Sequence, residues 1–349
     1  MRIIHVLHSH GYGGAESHAL LLMQLLRAQG HDVLYAGPSD GWLFQQCMQA
    51  GISAEHLAMH GLHDPWSHWV LRRLVKRWQP DIVHGHLVRG AHYAGRSVKD
   101  RGQRAIAICT AHATSSYKHM DACRHIIAVC QAVKDNLVRH GHPANKVTVV
   151  YNGMPDAPAP TDRQALRQEL GLADDEFAVV NVGRFVPDKG QDMLVKAAAS
   201  LPPNSRIHFV GDTSTEYGQS VVAQAGQHPG VRFIGYRSDV QRILPAFDAY
   251  AVSSRREAFS LSIVEACAAR LPCVATRVGG IPEVIRHRET GLLIPVDDAR
   301  AMSQALLELQ WDPALGHQLG QTARTLYESS FTEQKMLQGT LQTYQAALA

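Results

Sequence analysis

Short apolar segments alternate with segments of helical periodicity along nearly the whole chain, and this alternation limits the possible folds more than any other feature. The first series of predicted strands comprises residues 3–7, 33–36, 82–84, 106–110, 126–129 and 147–150. The second series comprises residues 178–182, 207–210, 231–234, 249–252, 273–276 and 292–294. Strands that are joined by helices build parallel sheets with helices on both faces. The sequence therefore predicts an α/β fold with two doubly wound parallel sheets.

A proline-rich segment at residues 155–160 separates the two series and predicts a domain boundary. A chain of 349 residues is too long for a single core and suits two domains of roughly 150 residues each. We therefore expect an N-terminal domain at residues 1–157 and a C-terminal domain at residues 158–328. The remaining segment, 329–349, contains a helix predicted at 331–348, which is a candidate to cross back to the first domain.

The composition is that of an ordinary globular protein, with 45% hydrophobic and 19% charged residues. No apolar run approaches the roughly 18 residues that a membrane span needs, and residues 1–7 predict a strand and not a signal peptide. The six cysteines are scattered and form no C-x-x-C pair, which predicts buried free thiols in a reducing compartment. We therefore expect a cytoplasmic location.

Positive charge is concentrated in the first half of the chain. Residues 1–155 carry 16 Lys and Arg against 9 Asp and Glu, so this half is expected to meet an anionic partner. The excess is densest in residues 66–104, whose basic residues are Arg72, Arg73, Lys76, Arg77, Arg89, Arg96, Lys99, Arg101 and Arg104. The helix predicted at the start of this stretch repeats apolar residues at 66, 69, 70, 74 and 78. It either packs its tryptophans inward and exposes a basic face, or lies on an anionic membrane surface.

Two carboxylates, Glu257 and Glu265, flank the turn between the strand at 249–252 and the following helix. In open parallel sheets, ligands bind beyond the carboxyl ends of the strands. The spacing suits a sugar nucleotide, with one carboxylate toward the sugar, the other toward the ribose hydroxyls, and helix N–H groups for the phosphates. The alternative is structural: Ser262-x-x-Glu265 also matches a capping box, and Glu257 would then be an ordinary loop acid.

Two glycine-bounded loops also follow predicted strands. The loop from Gly183 to Gly190 carries Arg184 and Lys189, a pair that suits a diphosphate, although a lone basic loop usually faces solvent. The loop Gly11-Tyr12-Gly13-Gly14-Ala15-Glu16 is not a dinucleotide fingerprint, because Glu16 stands where the third glycine is required. It either binds a phosphate or sugar at a helix N-terminus or is only a tight turn.

Histidine is abundant, with 21 residues, and His86 and His112 follow predicted strands. No H-E-x-x-H or other metal-binding spacing is present. The sequence therefore predicts no metal site.

Taken together, these residues resemble the retaining glycosyltransferases of family 4, which have the GT-B fold. The resemblance covers nearly the whole chain. Its landmarks in order are Gly13-Gly14-Ala15-Glu16, Pro80-Asp81-Ile82-Val83-His84 with His86, His112, Ile127-Ala128-Val129, Asn152-Gly153, Gly183-Arg184 with Lys189-Gly190, Gly235-Tyr236 with Asp239-Val240, Glu257 to Glu265, and Gly279-Gly280-Ile281-Pro282-Glu283. Ser260 stands where the family commonly has glycine, and Cys130 where it usually has serine, which bears mainly on the identity of the donor.

The resemblance implies two Rossmann-like domains that face each other across a cleft, with the acceptor bound by the first and the nucleotide sugar mainly by the second. It implies that Arg184 and Lys189 neutralise the diphosphate, and that Glu265 holds the ribose. The implied catalytic residues are Arg184, Lys189, Glu257 and His112. The implied donor-binding residues are Gly13, Gly14, Gly183, Arg184, Lys189, Tyr236, Glu257, Phe259, Ser260, Leu261 and Glu265. Glu16 and His112 are the implied acceptor-binding residues.

The activity implied by the resemblance is transfer of a sugar, with retention, from a nucleotide sugar to a glycan or lipid-linked acceptor in lipopolysaccharide or other surface polysaccharide synthesis. A UDP-sugar is the favoured donor. We expect no cofactor and no metal requirement, because two cations already neutralise the diphosphate. We expect no nucleic-acid partner, and peripheral contact between residues 66–104 and the inner face of the cytoplasmic membrane is an open expectation.

Three other functions are to be weighed against this one. A GT-B sugar-nucleotide epimerase would convert the nucleotide sugar without an acceptor. A non-catalytic relative would bind the nucleotide sugar without turnover, although Glu257, Glu265, Arg184 and Lys189 are all present. A nicotinamide dehydrogenase is disfavoured by Glu16.

Overall fold

The chain forms two compact units. The computed structural model describes residues 1–98, 104–156 and 162–349. The first unit comprises Met1–Gly153 and Glu333–Ala349, and the second comprises Met154–Thr332. The domain boundary predicted between residues 157 and 158 lies outside the described residues.

The helices and strands of both units follow in chain order. The first unit begins with β1 (Arg2–Val6), α1 (Gly14–Ala28), β2 (Asp32–Gly37), α2 (Trp42–Gln49), β3 (Ser53–His56), α3 (Pro65–Trp78), β4 (Ile82–His86), α4 (Leu87–Ser97), β5 (Ile106–Ala111), β6 (His125–Ala128), α5 (Gln131–Arg139) and β7 (Val147–Val149). The second unit contains α6 (Arg163–Leu170), β8 (Phe177–Val182), α7 (Gln191–Ala198), β9 (Ser205–Val210), α8 (Glu216–Ala225), β10 (Val231–Gly235), α9 (Val240–Ile243), β11 (Ala249–Val252), α10 (Leu261–Ala268), β12 (Cys273–Thr276), α11 (Ile281–Val284), β13 (Gly291–Ile294), α12 (Ala299–Trp311) and α13 (Pro313–Ser330). The last helix, α14 (Glu333–Leu348), belongs to the first unit.

The sheet of the first unit is parallel, with strand order β3-β2-β1-β4-β5-β6-β7. Its core includes Ile3, Leu22 and Val33, and α14 adds Met336 and Tyr344 to the same core. The chain builds outward from β1 on one side and from β4 on the other. The edge where β1 and β4 end is therefore the topological switch point at which α/β sheets bind ligands.

The sheet of the second unit is also parallel, with strand order β10-β9-β8-β11-β12-β13. Its core includes Phe185, Phe209 and Leu306. The corresponding switch point lies where β8 and β11 end. The predicted α/β class with two doubly wound sheets is confirmed.

Local sequence signals explain many of the element ends. The Asp162 side chain accepts a hydrogen bond from the Gln164 amide at 2.9 Å and caps α6, which ends at Gly171 in the left-handed conformation. Each of the twelve predicted strands is found within two residues at either end. The strand Ser53–His56 was not predicted, because it is a short edge strand with mostly exposed polar residues. The predicted helix at 331–348 begins two residues later, at Glu333.

All six cysteines are buried and free, as the sequence predicted. Within the described residues, no helix combines the length and apolarity that a membrane crossing requires.

Helix α3 corrects one of the two interpretations of the basic stretch. Asp64 caps it by accepting from the amides of Trp66 and Ser67, and Pro65 occupies its first position. Its buried residues are Ser67, Leu71, Leu74 and Val75, so the buried face is rotated from the predicted apolar stripe. Trp66 is 67% exposed and Trp69 is 48% exposed. Inward packing of these two tryptophans is therefore wrong.

Candidate functional site

The switch point of the second unit is formed by three loops that follow β8, β11 and β12. The Ser253 hydroxyl donates to the Lys189 carbonyl at 2.8 Å, and the Arg255 amide donates to the Asp188 carbonyl at 2.8 Å. The Gly280 amide donates to the Ala258 carbonyl at 2.9 Å. These bonds connect loops that are far apart in the sequence, and they fix the backbone around the predicted donor residues.

Two glycines allow the loops to approach this closely. Gly279 has φ +55°, and a Cβ there would lie 1.6 Å from the Glu257 carbonyl oxygen. Gly190 has φ +64°, and a Cβ there would lie 2.3 Å from the Ser253 carbonyl oxygen. Only glycine combines this conformation with this separation. The loop that carries Glu257 therefore depends on Gly279 for its position.

Lys189 and Glu257, both predicted site residues, form an ion pair between the Lys Nζ and the Glu Oε2. The two side chains are only 28% and 13% exposed. Arg184 lies on the same loop as Lys189 and is exposed. Its guanidinium makes no ion pair with any described residue. The switch point thus presents one paired and one unpaired cation.

The N-terminus of α10 opens onto the same group of loops. Its N-cap is Ser260, whose hydroxyl lies 3.2 Å from the Ser262 hydroxyl and does not cap the helix. The capping-box interpretation of Ser262 and Glu265 is therefore wrong, because Ser262 is inside the helix. Among the described residues, no side chain caps the first amides of α10, and such amides attract anions.

Glu265 lies one turn further along α10. Within the residues that the structure describes, its carboxylate forms no ion pair and no hydrogen bond. Burial raises the pKa of Glu265 to about 7. A carboxylate that is kept without a partner at this energetic disadvantage is typical of a binding site.

Arg255 is a residue of this site that sequence reasoning missed. Its guanidinium forms a bidentate pair with Asp192, with both distances 2.8 Å, and a further bond to Asp297 at 2.7 Å. Burial alone would raise the pKa of Asp192, but hydrogen bonds from Arg255 and Tyr217 outweigh it and the pKa is lowered. Arg255 therefore holds the loop after β11 against α7. The pattern of two adjacent arginines after a strand was the only signal in the sequence.

The other predicted donor residues of the second unit are distributed over the same edge. Gly183 directly follows β8, and Leu261 is the first residue of α10. Phe259 is buried, with its ring 5.6 Å from that of Phe331. Tyr236 is 67% exposed after β10, two strands away from β8. The structure therefore gathers the residues around β8 and β11 and leaves Tyr236 at the far edge.

The glycine loop of the first unit leads into α1. Gly13 is the N-cap in an extended conformation, and Gly14 is the first helical residue. No side chain of the described part of the chain caps this N-terminus, and Glu16 is 8% exposed in the first turn. This geometry matches the uncapped N-terminus of α10.

Five histidines of the first unit form a cluster, in which His5, His18, His84 and His86 are buried and His112 is partly exposed. His5 of β1 is the direct neighbour of His84 in β4, and His86 lies two residues further on the same face. The ring nitrogens of His5 and His86 are 2.9 Å apart, and those of His86 and His112 are 3.1 Å apart. The fifth ring is that of His18 in α1, 4.8 Å from the ring of His112.

Burial keeps these imidazoles neutral near pH 7. It lowers the pKa of His18 to about 4 and, with the nearby His18 ring, that of His5 to about 3. Burial, followed by the His18 ring, also lowers the pKa of His112 well below its ordinary value. Sequence reasoning singled out His86 and His112 but not the cluster, because its members come from distant segments.

The chain matches two successive family models. Residues 12–158 match the model of Glycosyltransferase Family 4, and residues 162–326 match the model of Glycosyl transferases group 1. A lipopolysaccharide core biosynthesis glycosyltransferase, LpsD of Rhizobium meliloti, is 23% identical over 100% of this chain and 99% of its own. The N-acetyl-alpha-D-glucosaminyl L-malate synthase of Bacillus anthracis is 29% identical over 60% of this chain. The chain spans about half the length of several curated relatives that it matches, for example 57% of the Bacillus anthracis protein.

Among solved structures, the Anabaena protein HepE, determined with UDP and with UDP-glucose, is similar in fold. With UDP it has a TM-score of 0.88 and 23% identity, over 99% of this chain and 100% of the other. This likeness concerns the fold, which is GT-B. The two family models together match most of the chain, at residues 12–158 and 162–326, and show that it belongs to the glycosyltransferases of family 4.

Proposed function

We propose that this chain is a retaining glycosyltransferase that moves a sugar from a UDP-sugar to a glycan or lipid-linked acceptor in lipopolysaccharide or other surface polysaccharide synthesis. Family membership supports sugar transfer. The role of LpsD in lipopolysaccharide core biosynthesis and the UDP complexes of HepE support the finer assignment. The observation that carries the proposal is the Lys189–Glu257 pair beside exposed Arg184 and the uncapped start of α10.

The proposed role of these groups follows from the charge that develops during transfer. As the bond between sugar and diphosphate breaks, negative charge grows on the leaving diphosphate and positive charge grows on the sugar ring. Arg184, Lys189 and the first amides of α10 stabilise the diphosphate, an electrostatic form of catalysis. Because Lys189 holds the Glu257 carboxylate, we assign Glu257 to the donor sugar and not to nucleophilic attack. The acceptor then attacks from the face that the diphosphate leaves, which retains the configuration.

Glu265 is proposed to hold the ribose of the donor. Its free carboxylate accepts hydrogen bonds, and ribose offers two neighbouring hydroxyl donors. Glu16 and His112 of the first unit are proposed to bind the acceptor. No metal is proposed for the donor site, where the unpaired Arg184, Lys189 in its pair with Glu257 and the first amides of α10 are available to the diphosphate.

A donor screen tests this proposal first. UDP-, GDP- and ADP-sugars are compared by thermal shift, where a ligand at 100 times its Kd adds about 2.7 kcal/mol to the free energy of unfolding. We expect stabilisation by at least one UDP-sugar. Stabilisation by GDP- or ADP-sugars alone would contradict the UDP assignment.

The identified donor is then incubated with purified lipopolysaccharide acceptors, and the anomeric configuration of the transferred sugar is read by NMR. We expect transfer with retention. Inversion would contradict the mechanism. Conversion of the nucleotide sugar without any acceptor would favour an epimerase, and binding without turnover would favour a non-catalytic relative.

We also propose that α3 docks the first unit on an anionic membrane. Trp66 and Trp69 are exposed and stacked, with ring centroids 5.0 Å apart. The exposed basic side chains of the same helix are Arg72, Arg73, Lys76 and Arg77. Exposed tryptophans enter the interface region of a bilayer, and each basic residue near an anionic surface contributes on the order of 1 kcal/mol. Lys99 and Arg101, which belong to the predicted basic stretch, lie outside the described residues.

Cosedimentation with vesicles of phosphatidylglycerol or phosphatidylcholine tests the docking. We expect binding to the anionic vesicles only, weakened by salt. Arg72→Glu with Lys76→Glu should weaken it by more than about tenfold, since two attractive contributions are lost. Lys134→Glu with Arg139→Glu on α5 is the charge-matched control. Equal loss in both double variants would show that net charge, and not α3, determines binding.

A further inference from the structure

The histidine cluster of the first unit contains two groups of three imidazoles with the spacing of metal ligands. In one group, His5, His84 and His86, and in the other, His18, His86 and His112, the ligand nitrogens lie within 4.8 Å of one another. In a tetrahedral site, nitrogens about 2.0–2.1 Å from Zn²⁺ lie roughly 3.3 Å apart. The observed separation of 3.1 Å between His86 Nδ1 and His112 Nε2 is close to that value.

Hydrogen bonding distinguishes the two groups. Both ring nitrogens of His84 are engaged, Nδ1 with the Tyr344 hydroxyl at 2.5 Å and Nε2 with the Thr110 hydroxyl at 2.7 Å. Within the described part of the chain, neither ring nitrogen of His18 has a hydrogen-bond partner of ordinary geometry, and the same holds for Asn152 Oδ1. The Asn152 side chain interacts with His18 nonetheless, since it partly offsets the lowering of the His18 pKa by burial. A buried polar group without a partner is costly. The group that contains His18 therefore has nitrogens available for a ligand.

We propose that His18, His86 and His112 bind one divalent transition-metal ion of the Zn²⁺ class. Uncharged imidazole nitrogens are ligands that Zn²⁺, Co²⁺ and Ni²⁺ accept. Coordination through His86 Nδ1 leaves the Nε2 proton of His86 to donate to His5 Nδ1, 2.9 Å away. Histidine ligands commonly carry an outer hydrogen bond of this type. His112 is partly exposed, which gives the ion an entry path.

The ion would join three separate segments of the first unit. His18 lies in α1, His86 ends β4, and His112 directly follows β5. Its effect would be structural: it would hold the start of α1, with Gly13 and Gly14, at the switch point between β1 and β4. The ion would engage Nε2 of His112 and leave Nδ1 of that ring for the acceptor. The sequence predicted no metal site because metal-binding motifs are recognised by ligands that are close together in the sequence. The three ligands of this site come from distant segments that the parallel sheet and α1 bring together.

Cobalt titration of untagged, chelator-treated protein tests the site, because Co²⁺ bound by imidazoles shows ligand-field absorption. We expect saturation at one Co²⁺ per chain, displacement by Zn²⁺, and a higher melting temperature with metal. His18→Gln and His112→Gln should each weaken binding by more than roughly 100-fold, since loss of an outer partner alone typically costs 10–100-fold. His125→Gln is the matched control: this histidine lies in β6 of the same sheet and bonds Thr148 at 2.8 Å, outside the cluster.

The X-ray absorption fine structure of the wild-type complex needs no variant and covers the case in which a variant does not fold. We expect at least three imidazole nitrogens at about 2.0–2.1 Å from Zn²⁺. The proposal is overturned by the absence of saturable binding, by fewer than three imidazoles, or by unchanged affinity in folded His18→Gln and His112→Gln. Because these readouts measure metal and not sugar transfer, they stand or fall separately from the proposed activity.

Discussion

The two switch points occur on sheets of the same type but have opposite chemistry. In the second unit, the loops after β8 and β11 carry charged groups, including the Lys189–Glu257 pair and Arg255, which pairs with Asp192 of α7. In the first unit, the corresponding edge carries glycines and the buried histidine cluster. The strand order determines where a ligand can bind, whereas the loop residues determine what it is. Charged loops suit a diphosphate, while neutral imidazoles suit a neutral hydroxyl group or a metal ion.

Removing either cationic side chain of the second unit's switch point should have the largest effect, a loss of catalytic efficiency. It would also sharpen the contrast between the charged and the neutral switch point. Arg184→Ala and Lys189→Ala should each lower kcat/KM by about 100- to 1,000-fold, the usual cost of losing a group that stabilises developing charge. Steady-state kinetics with the donor identified by the screen measures this. Lys196→Ala, which removes an exposed lysine of α7 in the same unit, should leave kcat/KM unchanged. Wild-type turnover in both site variants would remove the diphosphate assignment.

Gly279 of the second unit and Gly13 of the first unit should respond differently to an added methyl group. Gly279→Ala should lower the free energy of unfolding by about 3 kcal/mol or more, because left-handed strain and overlap with Glu257 add. Gly13→Ala should cost less than about 1 kcal/mol, since its backbone is extended and the nearest atom is the end of the Glu16 side chain, 3.0 Å away. Denaturant unfolding compares them. Equal costs would contradict the close approach at Gly279.

The sequence predicted the sheets and most of the site, because strand ends and glycine-bounded loops are local signals. It did not predict that Lys189 pairs with Glu257, since their contact depends on β8 and β11 being neighbours. The histidine cluster was missed for a similar reason, as His5 and His84 meet only through the register of β1 and β4. For α3 the predicted helical periodicity was right, but the face that is buried is rotated from the predicted apolar stripe.

Glu265→Gln separates binding from stability. Nucleotide affinity should fall about 10- to 100-fold, the value of hydrogen bonds to a charged group.

The free energy of unfolding of the same variant at pH 8 should instead rise by about 1 to 3 kcal/mol, because the variant no longer buries a carboxylate whose pKa is about 7. The raised pKa means that the stability supplied by Glu265 is complete below its ordinary pKa and is lost as pH rises through 7. The advantage of the variant should therefore shrink toward pH 4.5. Calorimetric titration with UDP and melting curves at several pH values measure both effects.

The raised pKa of Glu265 also predicts a smaller effect, a pH dependence of UDP-sugar binding by the wild-type protein. Ribose hydroxyls bind the charged carboxylate, so a UDP-sugar should bind more tightly as pH rises from 6 to 8, by at most about tenfold per pH unit. Calorimetry in buffers with different ionisation enthalpies should show proton release on binding. Glu265→Gln should abolish that release, and its persistence would assign the proton to another group.

A crystal structure with UDP tests the central claim most directly, namely that the charged switch point of the second unit is the nucleotide site. We predict that the diphosphate contacts Arg184, Lys189 and the first amides of α10, and that the ribose hydroxyls donate to Glu265. UDP bound away from the loops after β8 and β11, or at these loops with no contact to Arg184, Lys189 or Glu265, would contradict the account.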